Sequence, residues 1–322
     1  MAEQTQEIVG RYIISGRSLD KAAEEIEAAF EIEKFHAATL IRTEVAQARA
    51  VSDLQGYEDM GVETYKYIAT LDERTCDTCG PLDGQVFPIA AAVSGVNYPT
   101  MHPRCRCTTS IDFNGALRRA GNPISGRNEL IDGGMDYNSW RANMTAEEKA
   151  AFDVKQKKYR NKAADKKQHE TFREVLGKNV PRSLDKFQDL KYNEGSEWVK
   201  LKISYENKLL QKEIRETYNL KIHEGRQGKH ILGHNNYIEG RSYLTVSMKE
   251  AQELVNKYAG TGRIDRTENT LKWKGTETIV ADKIIGVNID NITGEQEYTH
   301  TFKIHYSKKG THIVPKHEEK SE

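Results

Sequence analysis

Residues 72–108 read DERTCDTCGPLDGQVFPIAAAVSGVNYPTMHPRCRCT and hold all four cysteines of the chain. Cys76 and Cys79 form a C-x-x-C pair, and Cys105 and Cys107 follow shortly after His102. Thiolates at this spacing fold back toward one cation, while Pro99, Pro103 and the glycines stiffen the approach of the second ligand group. Five candidates, Cys76, Cys79, His102, Cys105 and Cys107, thus compete for the four positions of a closed structural zinc site. The alternative is a pair of disulfides or unligated thiols. A catalytic zinc is disfavoured, because no carboxylate or further histidine is spaced to act on a bound water.

Around this stretch the chain changes character. With 322 residues and 37% hydrophobic side chains there is material for more than one core, but 30% of residues are charged and the mean hydropathy is -0.74, which predicts a long solvated connector. The formal net charge is zero. Its distribution is mildly uneven, with 21 Lys/Arg against 17 Asp/Glu over residues 200–322, a balance that permits an RNA partner without demanding one. Seven of the ten histidines also fall there: His223, His230, His234, His300, His305, His312 and His317. No apolar run approaches 18 residues and no basic-then-apolar segment opens the chain, so neither membrane spanning nor signal-directed export is expected. Cysteines gathered into one ligand-like cluster suggest a reducing compartment.

Upstream, residues 18–30 predict an amphipathic helix capped by Ser18, with Leu19, Ala22, Ile26, Ala29 and Phe30 as its apolar stripe. A longer helix is expected over 33–57, and a strand over 62–69 leading into the cysteine turn. Downstream, Gly121, Pro123, Gly126, Gly133 and Gly134 read as a loop. A charged helical run follows from Thr145, its Lys155–Lys167 portion a solvated face, and packing residues return between Phe187 and Tyr205.

From His223 to Ser242 the chain is glycine-rich and polar, which excludes a helix interior. The stretch MKEAQELVNKYAGTG over 248–262 comes next as a helix, with Leu254, Val255 and Tyr258 facing a core and Gly260 and Gly262 closing it. Strands are expected over 270–273, 278–281, 284–289, 298–306 and 312–314, with turns at 291–294 and 308–310. In the strand over 298–306, His300, Phe302, Ile304 and Tyr306 share one face; Thr301, Lys303, His305 and Ser307 share the other, read as an exposed polar surface. The hairpin brings Thr311 and His312 near His305. Histidines with lysine, arginine and hydroxyls can supply a base, an acid and a phosphate-steadying cation without metal.

The order TEVAQARAVSDLQGYEDMGVETYKYIATLDERTCDTCGPLDGQVF over 43–87, followed by NYPTMHPRCRCT over 97–108, resembles the C-terminal part of the phage Mu F-like minor head proteins. That resemblance implies a minor capsid component near the portal vertex. KHILGHNNYIEGRSYLTVSMKEAQELVNKYAGTG over 229–262, with FKIHYSKKGTHIVP over 302–315, looks like the polymorphic toxin type 50 domain. Its family is assigned to the barnase, EndoU, colicin and RelE-like metal-independent ribonucleases. Carried over by motif, this implies His230, His305, Lys229, His234, Arg241, Thr311 and His312 as catalytic candidates, with Ser242 and Lys308 on the substrate. Lys303 joins those substrate contacts from the polar strand face.

Together these readings predict a multidomain α+β protein: a helical head module with its Cys/His cluster over 1–115, a charged helical connector over 116–207, and a small α+β toxin domain with an antiparallel sheet over 208–322. They imply a structural zinc in the first module and no cofactor in the last. The expected partners are RNA of a target bacterium, portal and capsid proteins and a cognate immunity protein, with no membrane. The expected location is the virion or the cytoplasm of a prophage host, with delivery to a target cell's cytoplasm. Two competing classes are a non-enzymatic head protein whose last domain binds DNA or another head subunit, and an ADP-ribosyltransferase.

Overall fold

The computed structural model describes residues 2–111 and 116–318. Among them are ten α-helices and twelve strands, in two compact units, Met1–Lys162 and Ala163–Glu322.

The first unit opens with α1 (Ala2–Ile14), α2 (Leu19–Phe30) and α3 (Lys34–Asp59). Ser18 caps α2 by accepting the Asp20 N–H at 3.2 Å, as its position predicts. The buried stripe is Ala22, Ala23 and Ile26, packed with Ile8, Val9, Ala37 and Ile41; Leu19 and Ala29 stay exposed, so the helix is rotated slightly from the expected stripe. Next, β1 (Thr64–Ile68) is the centre of an antiparallel sheet between β2 (Val86–Pro88) and β3 (Thr108–Ser110). Its alternate residues Tyr65 and Tyr67 are both fully buried, Tyr65 with Ala50, Ile89 and Tyr98, Tyr67 with Cys79 and Cys105.

The glycine-punctuated stretch after it is not a loop. It forms a hairpin of β4 (Leu117–Gly121) and β5 (Asn128–Asp132), with the turn held by Asn122, whose side-chain oxygen takes the N–H groups of Ile124 and Ser125. Leu117 and Leu130 are exposed on the ribbon, so no burial alternation betrays it. α4 (Tyr137–Ala142) and α5 (Ala146–Arg160) pack Trp140 and Phe152 on Leu71 and Ala120. A capping box of Thr145 and Glu148 starts α5.

The charged run breaks at Asn161 into two helices. In the second unit, α6 (Lys162–Leu176), α7 (Leu184–Asn193) and α8 (Gly195–Thr217) enclose Phe172, Leu176, Val180, Phe187 and Leu201. Asp165 is buried among them and ligated by Gln188, Lys191 and Tyr192. Burial would raise its carboxyl, but those three donors hold it below the usual range.

The chain then runs through α9 (Glu224–Gln227), β6 (Tyr243–Leu244), α10 (Met248–Tyr258), β7 (Arg263–Arg266), β8 (Trp273–Val280), β9 (Gly286–Ile289), β10 (Gln296–Thr299), β11 (Thr301–His305) and β12 (His312–Pro315). Two antiparallel sheets result, ordered β12-β11-β8-β7 and β10-β9-β6. The expected single strand over 298–306 is broken at His300, where the buried Thr299 hydroxyl accepts the Thr301 N–H and donates to the Lys316 carbonyl. Its two halves belong to different sheets, and His300 does not continue the Phe302–Ile304 face.

On one face of the four-stranded sheet Ile264, Ile279, Phe302, Ile304 and Ile313 meet Leu254 and Val255 of α10 and Ile214 of α8. Register places His312, His305 and Thr276 in one cross-strand row of the other face, and Val314, Lys303, Thr278 and Arg263 in the next. That polar face is largely covered rather than exposed: Thr276, Thr278, Thr301 and Asp265 are buried on it.

Candidate active site and metal centre

The segment carrying the first histidines is stitched along β12. The N–H of Thr311 donates to the Lys221 carbonyl at 2.9 Å and that of His223 to the Thr311 carbonyl at 2.8 Å. Gln227, fully buried, donates its amide to the Ile313 carbonyl at 2.9 Å and accepts the Ile313 N–H at 2.8 Å. It substitutes for a missing strand neighbour of β12. Gly310, at φ 120, lets this segment approach, since a Cβ there would lie 2.4 Å from the Lys221 carbonyl. The following stretch holds only short helical turns, α9 and then a single 3-10 turn over Gly228–His230.

These constraints create a row of three imidazoles. His305 and His312 face each other in register, rings 4.6 Å apart, and His230 stacks beyond His312 at 6.2 Å. Nδ1 of His230 lies 2.7 Å from the Ser242 carbonyl; a carbonyl only accepts, so Nδ1 carries the proton and Nε2 is left as the basic nitrogen. Burial pushes all three rings below the ordinary histidine value, reinforced for His312 by the charges of His305, His230, Arg226 and His223, which take it down to about 3. Beside His305, Asp265 accepts from Thr276 at 2.8 Å and Thr278 at 2.9 Å and pairs with Lys303 at 3.2 Å. Its burial favours the neutral acid, but those partners hold its carboxyl below the usual range.

The other candidates lie differently. Lys229, Arg241 and Lys308 are exposed. The Thr311 side chain is fully buried and donates its hydroxyl to the Leu220 carbonyl. Ser242 accepts the Ile289 N–H on its hydroxyl and holds His230 through its carbonyl. The His234 ring lies over Gly228, where a Cβ would come within 2.2 Å of it, and its Nδ1 accepts the Asn236 N–H. His223 was noted only as one of the clustered histidines, and Arg226, Gln227 and Asp265 were not marked by sequence reasoning. The histidine density over 223–234 was the available signal for His223; nothing in periodicity marks the others.

In the first unit all four cysteines are free thiols, so the disulfide alternative is not adopted. The ligand atoms of Cys76, Cys79 and His102 lie within 4.8 Å of one another, as do those of Cys79, Cys105 and Cys107. His102 Nε2 is 3.2 Å from Cys76 Sγ and 3.4 Å from Cys79 Sγ, while Nδ1 lies 2.9 Å from the Pro103 carbonyl. That carbonyl fixes the tautomer and turns the Nε2 lone pair toward the thiols, the arrangement a metal-bound histidine adopts. The buried Tyr67 hydroxyl has no hydrogen-bond partner and packs in one cluster with Cys79, Cys105 and Cys107, where a thiolate sulfur would accept from it. Hydrogen bonds among the thiols push Cys79 and Cys107 up, the latter to about 12, and hold Cys105 well down. Without a cation the cluster shares its protons unequally; a cation would let all its ligands ionise together. The residues present therefore fit a metal ion.

No curated protein matches the chain. Two family models do: residues 222–315 match the one described as Bacterial toxin 50, and residues 3–110 the one described as Phage Mu protein F like protein. The toxin match begins with the segment stitched along β12 and ends with β12 itself, enclosing the imidazole row; the other spans the thiol cluster. Residues 3–110 are thus a Phage Mu F-like head-protein segment and residues 222–315 a bacterial toxin 50 domain, fused in one chain.

Proposed function

We propose that the toxin domain is a metal-independent endoribonuclease and that the head-protein segment carries it with the virion. The observation that supports this reading is the in-register stack of His305 on His312, with His230 behind. Two imidazoles this close disfavour double protonation, so one serves as base while the other holds a proton as acid. The base removes the 2'-hydroxyl proton, the 2'-oxygen attacks phosphorus, and the bond to the 5'-oxygen breaks as the acid protonates it. A 2',3'-cyclic phosphate and a 5'-hydroxyl end result.

His230, His305 and His312 form the acid–base group. Lys229 and Arg241 steer the RNA backbone from the rim and Lys308 extends that contact. His234 and Lys303 flank the row, while Ser242 and Thr311 hold its scaffold. In the head segment the thiol cluster holds a structural zinc, with His102, Cys76 and Cys79 as ligands and Cys105 completing the four. Portal and capsid proteins are the structural partners, and a cognate immunity protein protects the producing cell until the toxin reaches a target cytoplasm. Among the described residues no helix is long and apolar enough to cross a membrane.

The test is incubation of the full chain with total bacterial RNA in EDTA, beside His305→Ala and His312→Ala. Cleavage to cyclic-phosphate ends by the parent and by neither variant is expected. A folded parent that leaves RNA intact would overturn the reading.

A further inference from the structure

Arg226 is a cation whose charge reaches His312, the middle ring of the imidazole row. It is half-buried on α9, and its Nη1 donates to Ser307 Oγ at 2.8 Å. No carboxylate among the described residues forms an ion pair with it. Cations on the sheet differ: Lys303 and Arg263 both pair with Asp265, and Arg266 with Glu206. Around it, Nδ1 of His223 and Nδ1 of His312 are buried with no hydrogen-bond partner. Buried polar groups are normally satisfied, and a guanidinium presents its donors in a fork matched to two phosphate oxygens. A half-buried fork beside two unfilled ring nitrogens is complementary to an anion with several acceptor oxygens.

We propose that Arg226 grips the scissile phosphodiester, between His223 and His312, with Ser307 fixing the plane of the guanidinium. This rests on the ribonuclease reading of the same row and adds the phosphate-binding residue that it lacks. Lys229 and Arg241 are exposed and act on the flanking backbone, and Lys303 is committed to Asp265. The stitching of α9 to β12 through Gln227 holds Arg226 in register with His312.

The experiment uses the full chain and two probes, inorganic phosphate and a 2'-deoxy oligonucleotide that lacks the attacking hydroxyl. Binding is followed by calorimetry and by the histidine ring signals, and RNA cleavage is measured in parallel. Arg226→Gln is expected to weaken binding of both probes between about ten- and a hundredfold, the loss of a charged hydrogen-bonding partner, and to abolish the upward shift of the His312 titration that phosphate produces. Arg226→Lys should recover part of the binding. Ser307→Ala, which leaves the charge but frees its orientation, should give an intermediate loss. Unchanged phosphate binding in a folded Arg226→Gln chain would overturn the proposal and leave the ribonuclease reading intact. Arg226-dependent binding of the deoxy oligonucleotide by a chain that never cleaves RNA would uphold the phosphodiester site and sink the ribonuclease.

Discussion

His305 and His312 lie directly opposite each other on adjacent strands, their rings 20° from parallel. Burial lowers both rings, and the charge of His305 adds to it at His312, which is taken down to about 3 from an ordinary 6.5. As pH falls below 6.5 the unfolded chain therefore gains a proton that folded His312 refuses. The associated loss of stability begins near pH 6.5 and is complete near pH 3, with a slope of at most about 1.4 kcal/mol per pH unit for one such histidine. Urea unfolding between pH 7.5 and 4.5 should show a shallower decline for His312→Gln than for the parent. Parallel curves would mean that His312 titrates normally.

Cys79 belongs to both sets of close ligand atoms, so its replacement should be the most damaging in the thiol cluster. Metal analysis of the purified chain should find one zinc per molecule. Cys79→Ser and His102→Ala should lose it, Cys107→Ser should retain it, and a strong chelator should lower the melting temperature of the parent but not of Cys79→Ser. Full occupancy in His102→Ala would place Cys107 among the ligands instead.

Glu277 lies on the apolar side of the sheet, where its carboxylate accepts the N–H groups of Gly260 at 2.7 Å and Gly262 at 3.1 Å and the Tyr306 hydroxyl. Glutamine at this position keeps one acceptor oxygen and sets an amide N–H against a backbone N–H. Glu277→Gln should cost about 1–3 kcal/mol in chemical denaturation. A change within error would show that the glycine amides find another acceptor.

Gly228 is the floor beneath His234. Gly228→Ala should drive that ring off its seat, visible as a changed His234 ring signal. If His234 only flanks the reaction, kcat should fall by less than about tenfold, equivalent to about 1.4 kcal/mol of barrier, far less than for His305→Ala. An equal loss in the two variants would move His234 into the acid–base group.

What the sequence made legible depended on whether a local rule was strong enough to resist its surroundings. The α2 start at Ser18 and the α5 start at Thr145 were readable because a short side chain caps the helix without outside help. The ligand cluster was readable because thiols at short spacing have few other uses. The β4–β5 ribbon was missed because its leucines point to solvent and glycines dominate its turn. The break at His300 was missed because Thr299 redirects the ladder through a long-range bond to Lys316. His305 was placed correctly on the polar strand face, but that face is largely buried, and Asp265, which binds Thr276, Thr278 and Lys303 on it, comes from a strand that was not anticipated. Arg226 carried no signal, since a four-residue helical turn is too short to show a period.

α8 supplies Leu201 to the helical bundle and Ile214 to the toxin's core, along 23 continuous residues, about 34 Å of rod at the usual rise. A rod shared by two cores leaves no hinge at that junction. Clipping between residues 195 and 217 would cut a wall common to both, so a processing protease that freed an intact toxin would have to act before Gly195. A truncated chain beginning at residue 208 would leave half of the rod behind; an inactive fragment of that kind would report lost support rather than lost chemistry.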